Sequence, residues 1–282
     1  MNESPDKYSV LMSLYWREKP EYLRESLDSI VAQTVMPDEI VIVKDGPLGD
    51  ALENVLSEYS QKYPELFRFV NRPDNGGFGL ALRDGVLACR NEWIARMDTD
   101  DIADVHRIEV QLDVIRKRPE LDMVASVYYE FLGDLSHLVL RNSPESNDDL
   151  IKYMHKRNPF GHDTLMLRKS KILEAGNYES EVRFEDYSLW IRMVLNNAQM
   201  YNIQTPLLYV RGTKDYYSRR GGYHYMLQNI SFFLKYRKKG FFTWKDCVIS
   251  LIPRCMVCLM PNQIRTWVYE HFLRTKVMGG ER

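Results

Sequence analysis

Short apolar runs alternate with helical periodicities over the first hundred residues. Tyr8–Tyr15 (YSVLMSLY) and Glu39–Lys44 (EIVIVK) are near-continuous apolar runs, which predict strands buried on both faces. Between them Pro20 opens a helix to Gln33, with Tyr22, Leu23, Leu27, Ile30 and Val31 on one face. Asp45-Gly46-Pro47 ends the second strand sharply. A helix over 51–63, a strand over 66–70, a turn at Asn75-Gly76-Gly77 and a helix over 78–89 follow. A fourth strand, Trp93–Met97, runs into Asp98-Thr99-Asp100-Asp101. This β-α rhythm predicts an α/β protein, a Rossmann-like, mostly parallel sheet with flanking helices. Ligands of such sheets sit beyond the carboxyl ends of the strands, where Tyr15, Asp45 and Asp98 fall.

The second half is less regular. Helices are expected over 106–118, 148–156, 185–196 and 219–239. Strands are expected over 123–131 and 137–141, as a hairpin, and over 164–168 and 207–211. The tail, 241–278, reads as helix broken at Pro253 and Pro261. The predicted division is a domain over 1–215 and a helical, basic and apolar C-terminal extension over 216–282. Within the domain, residues 1–104 carry the regular β-α rhythm and residues 105–215 the less regular elements.

Composition changes this picture little until charge is placed along the chain. The 282 residues are 45% hydrophobic and 27% charged, a globular composition rather than a disordered one. No run of 18 apolar residues is present, so no transmembrane helix is predicted, and Met1–Lys7 lacks the apolar stretch of a signal peptide. The net charge of −1 hides an asymmetry: residues 205–282 carry 14 Lys/Arg against 4 Asp/Glu, a net of +10. That points to an anionic partner for the C-terminal quarter, lipid or a phosphate-bearing substrate. Cys89, Cys247, Cys255 and Cys258 form no disulfide framework. Cys255-x-x-Cys258 has no second pair beside it, and small apolar helix positions are its simpler reading over zinc or redox chemistry.

Three carboxylates in four residues, Asp98, Asp100 and Asp101, repel one another and invite a divalent cation. At a strand end Asp98 and Asp100 point the same way. The alternative is acidic capping of a helix starting at Ile102. Glu185-Asp186 opens an amphipathic helix and is either a general base or a cap. Asp45 either accepts hydrogen bonds from a nucleoside or starts a turn. Asn75-Gly76-Gly77 opens a helix, an anion-favouring position, but is not a dinucleotide fingerprint. His162, in Asn158-Pro-Phe-Gly-His162, is structural or functional. Arg219-Arg220 suits phosphate oxygens or forms a solvated cluster.

Taken in order, these motifs resemble the family 2 glycosyltransferases, inverting enzymes of GT-A fold, over about residues 8–215. The resemblance is closest to bacterial O-antigen, capsule and exopolysaccharide sugar transferases. It rests on Ser9–Tyr15 with Pro20–Gln33, Ile40–Gly46, Asn75-Gly76-Gly77 with Leu80 and Ala81, Ala95–Asp101, and Phe184–Tyr187 with Trp190. It implies a metal-dependent transferase acting on a nucleotide-sugar, UDP-linked by preference, with residues 1–104 binding the nucleotide and residues 105–215 forming the acceptor side. Ser13, Tyr15, Asp45, Asn75, Gly77, Arg96, Asp98 and Asp100 would bind the donor, with Asp98 and Asp100 holding Mn²⁺ or Mg²⁺. Asp186, assisted by Glu185, would be catalytic, and His162 and Trp190 would lie on the acceptor side. The acceptor would be a lipid-linked saccharide, and the protein would be cytoplasmic at the inner face of the cell membrane. Where the family often has Pro-Asp-Arg after the acidic motif, this chain has Val105-His106-Arg107.

The basic residues and apolar clusters of 241–282 add the expectation of peripheral membrane contact. A cover for the domain or a dimer surface is the alternative. No nucleic-acid motif accompanies the basic residues. Two rival functions remain. A sugar-phosphate nucleotidyltransferase would carry glycines after the first strand, where this chain has Leu14–Glu18. A non-catalytic carbohydrate-binding protein would not need the intact carboxylates.

Overall fold

The computed structural model describes residues 7–181, 183–212, 221–261 and 263–265. Its frame is a seven-stranded sheet in the order β10-β6-β9-β4-β1-β2-β3. Strands β1 (Tyr8–Leu14), β2 (Glu39–Lys44), β3 (Phe67–Asn71) and β4 (Trp93–Arg96) run parallel, joined by α1 (Pro20–Val31), α2 (Asp50–Lys62) and α3 (Phe78–Ala88). β1 and β2 are buried along almost their whole length because helices cover both faces, which is why they read as unbroken apolar runs. Two apolar clusters result. One holds Leu11, Val43, Leu82 and Trp190; the other holds Val10, Ile42, Leu27 and Ile108.

The chain then crosses the sheet. After the two-residue strand β5 (Ile102–Ala103) and α4 (Arg107–Lys117) come β6 (Met123–Ser126), β7 (Tyr128–Phe131) and β8 (Leu138–Arg141). The expected 123–141 hairpin is thus divided. β7 and β8 do pair antiparallel, but β6 belongs to the main sheet. Following α5 (Asn147–Met154), β9 (Met166–Arg168) wedges antiparallel between β4 and β6. α6 (Lys169–Glu174), α7 (Glu185–Leu195) and β10 (Met200–Ile203) complete this layer. β11 (Leu208–Arg211) pairs with β5 and β7 in a second sheet, β5-β11-β7-β8.

Two glycines in α3 let the layers close. A Cβ at Gly85 would sit 2.3 Å from a Leu11 methyl carbon of β1. At Gly79 it would sit 2.6 Å from the Glu179 carbonyl oxygen, on the segment leading into α7. Gly79 thereby brings the start of α7 against the start of α3.

The C-terminal region is helical, as expected: α8 (Tyr223–Lys238) and α9 (Trp244–Leu259). The expected break at Pro253 does not occur; α9 runs through it. Pro253 faces solvent, where the carbonyl that loses its partner is within reach of water. Thr243 and Asp246 form a capping box that fixes the start of α9. Phe241, Phe242 and Cys247 are buried against Phe233 and His155, so some of the apolar tail is ordinary core. Arg219, Arg220 and the tail from residue 266 onward lie outside the described residues.

Candidate active site

A cavity of about 550 Å³ opens beyond the carboxyl ends of β1, β2 and β4. Ser13, Tyr15, Trp16, Asp45, Asn75, Gly77, Phe78, Asp98 and Asp100 are among its lining residues. That volume lies in the range of small-molecule sites.

Asp45 occupies its floor and is 3% exposed. The backbone N–H groups of Gly76 and Gly77 donate to its two carboxylate oxygens at 3.0 and 3.1 Å. Both sequence readings of this region change accordingly. The anion at the start of α3 is the protein's own Asp45, and Asp45 shapes the Asn75–Gly77 turn as well as facing the cavity. Gly46 is required here: its φ is +88°, and a Cβ would stand 2.8 Å from the Asn75 nitrogen.

The acidic segment is neither a strand end nor a helix cap. β4 stops at Arg96, α4 starts only at Arg107, and residues 98–101 form a turn that leads into β5. The turn, rather than strand alternation, turns Asp98 and Asp100 to the cavity. Ligand oxygens of Asp98, Asp100 and Asp101 lie within 4.8 Å of one another. At that spacing each like-charged pair repels by about 3 kcal/mol at an effective dielectric of about 20. Burial first, then the charges of Asp98 and Glu18, push the Asp100 carboxyl up to about 7. A hard divalent cation matches this oxygen set and offsets its repulsion. Asp101 has a different role. It is 2% exposed, accepts a hydrogen bond from the Arg211 backbone N–H at 2.7 Å and shares another with the buried Asp163.

Arg96 lies behind the turn rather than in the cavity. Its guanidinium is 1% exposed, stacks over Phe78 at 4.9 Å and is ion-paired with Asp98. Any contact with a donor therefore runs through Asp98. Arg107 is fully buried and donates to the carbonyls of Arg96 at 2.9 Å and Asp163 at 2.7 Å. That ties the end of β4 to the 162–164 turn without the proline common in the family.

Glu185 and Asp186 form the first turn of α7. The Asn158 amide donates to Asp186 Oδ2 at 2.6 Å, which gives the Asn158-Pro159 motif a structural role. Burial first, then the Asp186 charge, push Glu185 up to about 7 from an ordinary 4.5. A carboxyl raised on folding is stabilising while protonated and loses that contribution as pH climbs from about 4.5 through 7. Glu185→Gln is therefore expected to raise the melting temperature at pH 8 and to leave it nearly unchanged at pH 5. Thermal melts at the two pH values test this; equal shifts at both would contradict it.

His162 and Trp190 stand behind these carboxylates. The Tyr178 hydroxyl and His162 Nε2 are 2.8 Å apart, and Phe78 and Trp190 meet the imidazole edge-on at 5.5 and 5.6 Å. Burial and the Arg96 charge hold the imidazole well below its usual range, so it stays neutral. Trp190 is fully buried and packs against His162. Tyr178 feels the charges of Arg96, Asp186 and Glu185 together. Both acidic groups therefore converge on one buried polar knot. Arg211, which no sequence pattern marks, joins the acidic turn from β11.

Residues 9–176 match the model of "Glycosyl transferase family 2". An uncharacterized glycosyltransferase of Haemophilus influenzae is 38% identical over 270 residues, covering 95% of this chain and 99% of that protein. The UDP-Gal:alpha-D-GlcNAc-diphosphoundecaprenol beta-1,3-galactosyltransferase of Escherichia coli is 31% identical over 274 residues, covering 97% and 99%. Among solved structures, the mannosyltransferase PcManGT of Pyrobaculum calidifontis, in complex with GDP-Man and Mn²⁺, superposes with a TM-score of 0.60 at 14% identity. That match covers 82% of this chain and 64% of the other, and shows a common fold.

Proposed function

The chain belongs to glycosyl transferase family 2 and is a glycosyltransferase, and on that premise we propose that it moves a sugar, with inversion, from a nucleotide-diphosphate donor to a hydroxyl of a lipid-linked saccharide. The observation that carries this reading is a convergence: a nucleotide-sized cavity floored by Asp45 and edged by Asp98 and Asp100, with the start of α7, which carries Glu185 and Asp186, packed on Gly79 beside the lining residue Phe78. The E. coli relative is named for a UDP-galactose donor and a diphosphoundecaprenol-linked acceptor, which favours that donor and acceptor chemistry here.

Asp45 and the Ser13–Tyr15 rim bind and orient the base and ribose. Asp98 and Asp100 hold Mn²⁺ or Mg²⁺, which when bound neutralises the diphosphate as a Lewis acid. The Asn158 amide and the Tyr187 backbone N–H donate to the two oxygens of the Asp186 carboxylate, each at 2.6 Å, and fix its orientation. Asp186 takes the acceptor hydroxyl proton while that oxygen bonds to the anomeric carbon. The bond to the diphosphate breaks on the opposite face, and its electron pair leaves with the diphosphate. Glu185, less readily ionised beside it, keeps the local charge down. His162, neutral and braced, holds the wall of the site.

Release of nucleoside diphosphate from UDP-, GDP- and dTDP-sugars, with Mn²⁺, Mg²⁺ or EDTA, tests this. Slow metal-dependent release from one donor is expected. No release, and no thermal shift with any nucleotide and metal, would favour a non-catalytic binding protein instead.

We also propose that α9 lies on an anionic membrane surface. Among the described residues, no helix is long and apolar enough to cross one. Cys247, Ser250 and Cys258 face the body, whereas Trp244, Val248, Ile249, Ile252, Met256 and Leu259 are each 54–62% exposed. Lys238, Lys239 and Lys245 are exposed along the same region. An apolar face with a basic rim suits the headgroup boundary of anionic lipid. Ile249→Asp/Ile252→Asp, on solvent-facing positions, is expected to abolish flotation with phosphatidylglycerol vesicles and leave donor hydrolysis intact. Undiminished flotation would refute this.

A further inference from the structure

We infer that Arg211 is a positioning residue that holds the acidic turn in its metal-binding shape. This rests on the reading of Asp98 and Asp100 as the metal pair. The turn is exposed to its own repulsion, so its backbone must be fixed from behind for two carboxylates to face the cavity together. One side of that hold comes from α1: Ser26 Oγ donates to the Asp98 carbonyl at 2.8 Å. Nearby, Thr99 Oγ1 donates to Glu18 Oε2 at 2.8 Å. On the other side Arg211 reaches both the Asp100 main chain and the Asp101 carboxylate. Its backbone N–H donates to Asp101 Oδ1 at 2.7 Å and its Nε to the Asp100 carbonyl at 3.0 Å. The guanidinium lies between the rings of Tyr22, at 3.9 Å, and Phe131, at 4.7 Å, and pairs with Glu25. Its side chain is only 8% exposed.

Three other pieces of chain therefore meet on this one side chain from β11: α1, β7 and the turn. The chemistry selects arginine. A planar guanidinium stacks on aromatic faces while it donates in its own plane to a carbonyl and a carboxylate. A lysine keeps the charge but has one nitrogen and no face. Arg211 does not line the cavity; it acts through the Asp100 main chain. β11 delivers it because Leu208 and Tyr209 pair with Ala103 and Ile102, the residues directly after the turn.

The test compares nucleotide affinity with Mn²⁺ and with EDTA, by calorimetry, using whichever of UDP or GDP binds the wild-type protein more tightly. The ratio isolates the metal's contribution from the Asp45 side of the pocket. Arg211→Lys is expected to cut that ratio by about tenfold or more, with affinity in EDTA within about twofold of wild type. A variant that merely loosens the fold would lower both affinities together. Tyr22→Leu, at a half-exposed position, removes one stacking face and is expected to cut the ratio by about threefold, so the idea stands or falls even if Arg211→Lys does not fold. An unchanged ratio in either folded variant overturns the inference. A wild-type protein that gains nothing from Mn²⁺ overturns the metal reading itself, and this inference with it.

Discussion

Asp186→Asn is expected to lower kcat for transfer by about 10²- to 10⁴-fold, the usual worth of general-base help, while nucleotide affinity stays within about twofold. Asparagine keeps the shape of the side chain, and its one oxygen keeps one of the two bonds that Asp186 accepts, from the Asn158 amide at Oδ2 and from the Tyr187 backbone N–H at Oδ1, each at 2.6 Å. What is lost is the ability to take a proton. The neighbour Glu185 does not replace it: burial and the Asp186 charge raise its carboxyl to about 7. Steady-state kinetics on the active donor and a synthetic lipid-linked acceptor check the claim. Retention of more than a tenth of wild-type kcat would move the base elsewhere, with Glu185 the first candidate.

Asp100→Asn is expected to remove metal-dependent donor release by about 10²-fold or more, since neutralising a departing diphosphate is worth several kcal/mol. A second signature has the opposite sign. Without metal, the crowded carboxylates oppose one another, and the raised Asp100 carboxyl costs stability progressively as pH climbs from about 4 to about 7, a cost fully present above that. The substitution relieves it, so the metal-free variant is expected to melt higher than wild type at pH 8, while the shift caused by added Mn²⁺ disappears. Differential scanning calorimetry with EDTA and with Mn²⁺ reads both effects. A variant that still responds to Mn²⁺ like wild type would place the metal elsewhere.

The regions of this molecule legible in its sequence are those whose cause is local. β1, β2 and β4 announce themselves because helices bury them on both faces, leaving unbroken apolar runs. The acidic turn and Glu185-Asp186 are visible because carboxylates so close together demand an explanation. What stayed hidden is set by distant partners. β5 is two residues long and exists because β11 pairs with it. β10 holds the buried polar Asn202, whose amide donates to Ser143, so its pattern is no clean alternation. Pro253 reads as a helix break because sequence cannot say that it faces solvent. The full burial of Trp190 against His162 is likewise set by packing that its place after Glu185-Asp186 does not show. Arg211 carries no local signal at all.

The wedge formed by β9 bears on how the protein is made. β4 has β1 on one side, and its other neighbour is not synthesised until about seventy residues later. Until β9 is made, the sheet of β1 to β4 would carry an open edge at β4, the kind of edge that recruits other chains. Closing it also installs His162 and Asp163, which immediately precede β9, against Arg96 and Arg107. Completion of the sheet and assembly of the site are thus one event, so a nascent or truncated chain that ends before β9 has neither a protected edge nor the buried polar knot.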